Sequence, residues 1–223
     1  MITANVIHRT FQIGFKSRSG TAFAIDVDGR HYLVTARHVI EPFDGTGAIE
    51  IFANDAWQPI AVTLVAHGKD GIDVSVLAPE RELAPKNLPV TLASAGLVYG
   101  QDVFFLGFPY GVLSKLKHGP GGYPLPLVKK GIMSAFAGHE YLIDAHGNSG
   151  FSGGPLIFAP AHVGMAQTIG GVVTDVTTVR EPVLKDGEPS GLEFEENTGI
   201  MTTVGIEVVL DLIRGNPIGQ LIV

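Results

Sequence analysis

Two overlapping Gly-x-Ser-Gly segments lie in the stretch HGNSGFSGGPL. Residues 147–150 contain Ser149, and residues 150–153 contain Ser152. Glycine lets the backbone adopt conformations that a Cβ forbids, so such a loop can expose a hydroxyl and turn neighbouring N–H groups toward one point. A serine in this setting is a candidate nucleophile, provided that a base lies nearby to take its proton.

His38 is the predicted base among the eight histidines of the chain. It closely follows the apolar run LVTA, where the chain leaves a predicted strand, and such a strand end is a rigid place to mount a side chain. His31 lies at the beginning of the same strand, too far along it to occupy the same site. The remaining histidines have no comparable setting.

Asp73 is the predicted carboxylate that orients this base. It opens the alternating segment DVSVLA, and a carboxylate at a strand entry can be partly buried while it still bonds to an imidazole. Asp70 is the alternative, but it lies in the glycine-flanked turn GKDGID, where aspartate commonly bonds to its own backbone. The predicted order along the chain is therefore histidine, aspartate, serine.

This order resembles that of the trypsin- and chymotrypsin-like serine peptidases. The segments that carry the resemblance are TARH around His38, DVSVL from Asp73 and GFSGGPL from Gly150. FFLGFPYG and IDAHGNSGFSGGPLI are most similar to the bacterial branch that includes the Deg/Htr-type proteases. The resemblance covers residues 18–210. It implies an all-β fold of two antiparallel Greek-key β-barrels with a short C-terminal helix.

The resemblance also implies roles for the glycine-rich loop. Only Ser152 is followed by Gly-Gly-Pro-Leu, which makes it the implied nucleophile and places Ser149 on the wall of the substrate pocket. The backbone N–H groups of Gly150 and Ser152 would form the oxyanion hole.

Substrate contacts are implied on both sides of the nucleophile. The strand of residues 170–176 resembles the substrate-binding edge of the family, which makes Val173, Thr174 and Asp175 candidate contacts. His146 lies six residues before Ser152, often the base of the primary pocket. Because it is not an aspartate, a preference for lysine or arginine is not supported. It could favour an acidic side chain or pack neutral beside a small apolar pocket.

Short apolar and β-branched runs separated by glycine, proline and Asp-Gly turns predict the strands that position these residues. Residues 79–96 are polar and proline-containing, and we predict that they connect an N-terminal barrel (residues 1–90) to a C-terminal barrel (residues 91–223). One helix is predicted over residues 207–214. The acidic segment 186–197 is predicted to form an exposed loop or a strand-flanking hairpin.

Composition excludes several classes of function. The formal net charge is -7 with 15 lysines and arginines and no basic stripe, so no nucleic-acid partner is expected. No apolar run approaches the roughly 18 residues of a membrane span. The chain has no cysteine and no metal-ligand cluster, and no cofactor is expected. The start lacks the pattern of a secretory signal, which favours the cytoplasm.

The predicted function is a serine endopeptidase that acts on a peptide or protein substrate through an acyl-enzyme. One alternative is a catalytically latent or inactive peptide-binding module with the same fold, and another is an esterase or acyl-transfer enzyme with the same triad. No additional peptide-binding module is expected after the catalytic unit. A regulatory protein partner is compatible with the sequence, which does not define the oligomeric state.

Overall fold

Strands make up 56% of the protein and helices 11%, so the predicted all-β class is confirmed. The structure is a computed structural model that describes residues 2–85, 87–111, 122–160 and 167–222. No helix in these four ranges is long and apolar enough to span a membrane.

The first sheet is built from consecutive hairpins in the N-terminal part of the chain. Pairing of its third and sixth strands closes a six-stranded barrel. The turn between the second and third strands is Asp28-Gly29, and both residues have positive φ, as a two-residue hairpin turn requires. The strands are β1 (Thr10–Phe15), β2 (Arg18–Val27), β3 (Arg30–Thr35), β4 (Thr46–Ala53), β5 (Ala56–His67) and β6 (Ser75–Pro79).

The second sheet is antiparallel apart from one short parallel pairing at its edge, and it closes in the same way, through pairing of its fifth and sixth strands. Its last two strands form a hairpin that is much longer than the rest of the sheet. The strands are β7 (Thr91–Leu92), β8 (Asp102–Gly107), β9 (Leu127–Ala137), β10 (Glu140–Asp144), β11 (Pro155–Phe158), β12 (Thr168–Lys185) and β13 (Glu188–Gly205).

Helices are short, and the predicted C-terminal helix is the longest of them. It is α3 (Ile206–Gly215), after α1 (Ala4–Ile7), α2 (Arg37–Ile40) and a 3-10 turn (Pro109–Gly111). After α3 the chain returns to the first sheet, where β14 (Gln220–Leu221) pairs with β3. The division of the chain into two barrels at residue 90 remains a prediction.

One cluster of buried apolar side chains joins the two barrels. It contains Phe23 and Val34 from the first barrel, Leu106 and Val172 from the second, and Val209 from α3. Two further clusters fill the barrels separately. Burial of this shared apolar surface holds the barrels against each other, which is what a site made from both of them needs.

An ion pair between the buried Arg9 and the partly exposed Asp26 ties the connection between the barrels to the first barrel. Arg9 is 1% exposed, and its guanidinium lies 2.7 Å from Asp26 and donates to the carbonyl of Leu88 at 2.8 Å. His31 bonds to Asp26 through Nδ1 and accepts the N–H of Leu83 at Nε2. His31 therefore has a structural position, in agreement with its exclusion as the catalytic base.

Asp26→Asn should lower the free energy of unfolding at pH 7 by about 2 kcal/mol, because it removes the charge that faces the buried Arg9 guanidinium. Burial raises the pKa of Asp26, but hydrogen bonds from His31 and Arg9 outweigh it and the net pKa is lowered. The pair therefore stabilises the fold at neutral pH, and this contribution is lost as the pH falls through the lowered pKa.

Urea unfolding between pH 3 and 7 measures both effects. Asp28→Asn, in the exposed turn of the same hairpin, is the matched control and should change stability by no more than about 0.5 kcal/mol. Equal stability of the two variants at pH 7 would contradict this role of Asp26.

Candidate active site

Pairing of β3 with β6 brings His38 and Asp73 together. Thr35, the last residue of β3, lies opposite Ser75, the first residue of β6. His38 follows Thr35 by three residues in the helical turn α2, and Asp73 precedes Ser75 by two. Asp73 therefore lies just before the strand that the sequence predicted it to open.

Asp73 holds His38 through two hydrogen bonds. Its Oδ1 accepts the backbone N–H of His38 at 2.9 Å, and its Oδ2 lies 2.6 Å from Nδ1 of the ring. Because a carboxylate can only accept, Nδ1 carries a proton and Nε2 is the free nitrogen of the neutral ring. The ring is therefore fixed both in orientation and in tautomer.

The pKa of His38 is raised above its ordinary value. The hydrogen bond with Asp73 is the largest cause, burial opposes it, and the charges of Asp73 and Asp175 raise the pKa further. Arg18, whose side chain donates to the carbonyl of His38 at 2.6 Å, lowers it. The site therefore favours the protonated ring, which is the form that a base reaches after accepting a proton.

The serine loop is held from the first barrel by Thr21. The N–H of Thr21 donates to the carbonyl of Ser152 at 2.9 Å, and its hydroxyl donates to the carbonyl of Gly150 at 2.7 Å. On the other side, the N–H of Gly153 donates to the carbonyl of Val173 at 2.7 Å. The backbone around Ser152 is thus fixed between β2 and β12.

The N–H groups of Gly150 and Ser152 have no hydrogen-bond partner in the described part of the chain, and the same is true of the N–H groups of residues 147–149. The carbonyl of Ser149 accepts the N–H of Tyr110 at 2.9 Å. Since the carbonyl and the N–H of a trans peptide point in opposite directions, this bond turns the N–H of Gly150 away from Tyr110. Gly150 itself has φ +102°, a region that favours glycine.

A cavity of about 440 Å³ lies in front of this loop, and His38, Ser149, Ser152 and Asp175 all line it. A second cavity, of about 570 Å³, is lined by His38, Asp73, Glu140, Thr174 and Asp175, among others. The structure thus brings both predicted serines, the predicted base and the predicted carboxylate around two adjoining cavities.

Two of the sequence-predicted contacts lie outside these cavities. His146 is exposed and lines neither of them; its carbonyl accepts a hydrogen bond from Lys129. Val173 is buried, and its backbone bonds to Gly153 and Gly154 of the loop. The pocket preferences proposed for His146 therefore have no contact in this structure to support them.

Several residues that sequence reasoning did not select line the first cavity. They are Tyr110, Thr178, Glu195 and Asn197, along with Gly147, Asn148 and Val176. Asn197 donates to the carbonyl of Gly147 at 2.6 Å. Glu195 and Asn197 reach the site because β13 folds back along β12, a pairing over 18-residue strands for which the sequence carries only weak alternation.

Comparisons with known proteins agree with this geometry. A model of the trypsin-like peptidase domain matches residues 20–161, well over half of the chain. No curated protein matches the sequence.

Three solved structures illustrate the similarity. The HtrA-type protease AlgW with a tripeptide is 25% identical with a TM-score of 0.59; the match covers 95% of this chain and 61% of AlgW, so the chain spans less than two thirds of that protein. The serine endoprotease from Yersinia pestis is 22% identical (TM-score 0.57; 97% and 69% covered). An inactive form of Rv3671c from M. tuberculosis, a serine-to-alanine mutant, is 21% identical (TM-score 0.59; 97% and 90% covered). These last two show the fold alone.

We expect Asp73→Asn to lower the pKa of His38 most, and Asp175→Asn to lower it by less, because the hydrogen bond with Asp73 is the largest cause of the raised pKa and the charge of Asp175 is a smaller one. NMR titration of the His38 ring measures these shifts without any substrate. Glu188→Gln, at the far end of the β12–β13 hairpin, is the control and should leave the titration unchanged. A His38 pKa that is the same in Asp73→Asn and in the wild type would refute this account.

Proposed function

The chain belongs to the family of trypsin-like peptidase domains, and from this premise we propose that it is a serine endopeptidase that acts through His38, Asp73 and Ser152. The observation that carries the proposal is the placement of His38, hydrogen-bonded to Asp73 at 2.6 Å, in one cavity with Ser152. Its substrate is a peptide or protein segment that enters this cavity in an extended form.

In the proposed reaction, Oγ of Ser152 attacks the peptide carbonyl while Nε2 of His38 accepts the hydroxyl proton. The imidazolium then gives this proton to the leaving amine, and an acyl-enzyme remains. Water attacks the acyl-enzyme in the second half of the reaction, with His38 again as the base. Asp73 stabilises the imidazolium through the bond at Nδ1, which agrees with the raised pKa of His38.

The N–H groups of Gly150 and Ser152 are the proposed oxyanion hole. Their lack of a protein partner in the described chain leaves both donors, beside the cavity, available to a substrate oxygen, which supports this role. The neighbouring N–H groups of Phe151, Gly153 and Gly154 are all bonded within the protein. One such donor is typically worth about 2.7–4 kcal/mol in the transition state.

A latent or inactive peptide-binding module is the second candidate function. The observation in its favour is that no hydrogen bond joins Ser152 to His38 in the structure. In unliganded enzymes this bond is often long and tightens only when substrate binds, so we prefer the active enzyme. The two candidates differ in the reactivity of Ser152.

Labelling with a fluorophosphonate probe, followed by peptide mapping, tests the proposed nucleophile. We expect covalent modification at Ser152 in the wild type and none in His38→Ala, because the hydroxyl needs its base. Modification at Ser149 would show that the catalytic loop is assigned three residues out of place. An unlabelled, folded wild-type chain would favour the latent module. Hydrolysis of an ester but not of the corresponding peptide would favour an esterase.

Gly150→Ala should lower the rate of labelling by about 100-fold or more, close to the effect of losing an oxyanion donor. A Cβ at this position would lie 2.4 Å from the carbonyl oxygen of Phe108, and φ is +102°. The peptide must therefore shift and its N–H will change direction.

Gly138→Ala is the matched control, since Gly138 also has a positive φ, +65°, but nothing within 4 Å of its Cβ position. It should cost about 1 kcal/mol of stability and leave labelling unchanged. Labelling of Gly150→Ala at the wild-type rate would exclude Gly150 from the oxyanion hole.

A further inference from the structure

One histidine that lines neither of the two adjoining cavities, His67, bonds to both of the segments that carry the proposed base and its carboxylate. It is the last residue of β5, and its Nδ1 lies 2.7 Å from the hydroxyl oxygen of Ser75, the first residue of β6. Its Nε2 lies 3.0 Å from the carbonyl oxygen of Phe43. The proposed reaction gives this ring no part, so its two bonds call for another role.

The bond to Ser75 closes the turn that carries Asp73. His67 and Ser75 lie directly opposite each other in the β5–β6 pairing, and the turn connects them. Inside the turn, the N–H of Gly68 donates to the carbonyl of Val74 at 2.7 Å. The two bonds together fix the end of the turn at which Asp73 lies.

The bond to Phe43 holds the segment that carries His38 at its downstream end. Phe43 follows His38 by five residues. Its N–H donates at 2.7 Å to the carbonyl of Ile40, the last residue of α2, so Phe43 is tied directly to the helical turn. At the upstream end, the hydroxyl of Thr35 is bonded to the backbone of β2. His38 thus lies between two anchored points, and His67 supplies the downstream one.

The two bonds define the proton positions on the His67 ring. Because a carbonyl oxygen can only accept, Nε2 carries a proton. Nδ1 of the neutral ring then accepts the hydroxyl proton of Ser75. Nδ1 of a protonated ring would donate to the same hydroxyl, since a hydroxyl can both donate and accept. Both bonds are therefore compatible with either charge state of the ring.

Ser75 extends this link toward the nucleophile. It is fully buried, and it pairs with His67 on one side and with Thr35 on the other. Directly opposite residues of an antiparallel pair place their side chains on the same face, so these three polar side chains form a row across β5, β6 and β3. Thr35 bonds in turn to the carbonyl of Thr21, whose N–H and hydroxyl hold the serine loop.

The pair of His38 and Asp73 needs such support, because it is partly open to solvent. The two side chains are 46% and 31% exposed. An exposed ion pair holds itself together only weakly, since solvent screens the charges and side-chain entropy opposes a single geometry. The 2.6 Å separation of the two side chains therefore depends on the backbone segments that carry them.

We propose that His67 is a positioning residue of the candidate active site: by bonding to both Phe43 and Ser75, it keeps the segments of the base and the carboxylate at the separation that their hydrogen bond requires. It acts through these two segments rather than on the substrate. This inference rests on the proposed function, because it takes His38 and Asp73 to be the base of Ser152 and its orienting carboxylate.

NMR titration of the His38 ring tests the proposal without any substrate. His67→Phe keeps a ring at this position and removes both bonds. In this variant we expect the pKa of His38 to fall toward its ordinary value, because the hydrogen bond with Asp73 is the largest cause of its increase. The rate of fluorophosphonate labelling at Ser152 should fall about tenfold, the effect of about one net hydrogen bond on the orientation of the base.

Two further variants separate the bonds. His67→Gln places an amide N–H near the position of Nε2 and retains the bond to Phe43. His67→Asn places its amide near the position of Nδ1 and retains the bond to Ser75. We expect each of them to recover part of the His38 pKa and of the labelling rate that His67→Phe loses. Ser75→Ala removes one bond from the other side and should resemble His67→Gln.

Gln58→Ala is the matched control. Gln58 also lies on β5, and its side chain donates to the carbonyl of Ala53 at 3.0 Å, the same length as the bond from His67 to Phe43. It should leave the His38 titration and the labelling rate unchanged. Circular dichroism and urea unfolding check that each variant is folded under the conditions of the titration. If His67→Phe does not fold, Ser75→Ala takes its place in the comparison.

A His38 pKa equal to that of the wild type in a folded His67→Phe variant would overturn the proposal. The same fall in Gln58→Ala would also overturn it, because it would show a general effect of lost stability. Labelling of the wild type reports on the proposed function separately. An unlabelled wild type whose His38 pKa still depends on His67 contradicts only the peptidase. A labelled wild type whose His38 pKa is independent of His67 contradicts only the positioning role.

Discussion

The candidate site depends on one contact between the barrels, the bonds that Thr21 makes to the serine loop. Thr21 is fully buried on β2, and its N–H and hydroxyl bond to the carbonyls of Ser152 and Gly150. Its hydroxyl also accepts the N–H of Phe108. The contact is so close that a Cβ on Gly153 would lie 2.0 Å from the carbonyl oxygen of Thr21. Glycine is therefore required there for a steric reason in addition to its positive φ.

Thr21 also links the segment that carries the base to the loop that carries the nucleophile. The carbonyl of Thr21 accepts the hydroxyl of Thr35 at 2.7 Å, and Thr35 is the last residue of β3 before the turn that carries His38. Thr35 is also paired with Ser75, just after Asp73. The positions of all three side chains of the proposed triad are therefore linked by hydrogen bonds or strand pairing to Thr21 and Thr35. A shift of the second barrel would have to break bonds at Thr21 before it could separate Ser152 from His38.

Local patterns in the sequence were enough to predict the all-β class, the C-terminal helix and the pairing of His38 with Asp73, whereas the choice of Ser152 over Ser149 came from the resemblance to a family. Each of these residues lies beside a short, strongly patterned strand or in a glycine-rich loop, so its setting can be inferred from its neighbours. The positions of the residues that were missed depend on which residues of β12 and β13 pair, and short sequence patterns do not determine this register. Glu195 and Asn197 lie in a segment that was predicted to be an exposed loop or a hairpin. They reach the cavity only because of where β13 pairs with β12. His146 was placed at the pocket base by analogy, and the backbone turns its side chain outward.

A strand edge without a partner is a template for aggregation, because its N–H and carbonyl groups are unpaired. From Val176 onward, the strand that pairs with β12 in the described chain is β13, on one side of β12. Three features limit pairing at the other edge. The carboxylate of Asp175 accepts the N–H of Val176, and Pro182 has no N–H to offer to an added strand. Residues 178–197 contain six acidic and two basic side chains, so the hairpin repels another copy of itself. Asp175 also acts on the candidate site, since its charge raises the pKa of His38.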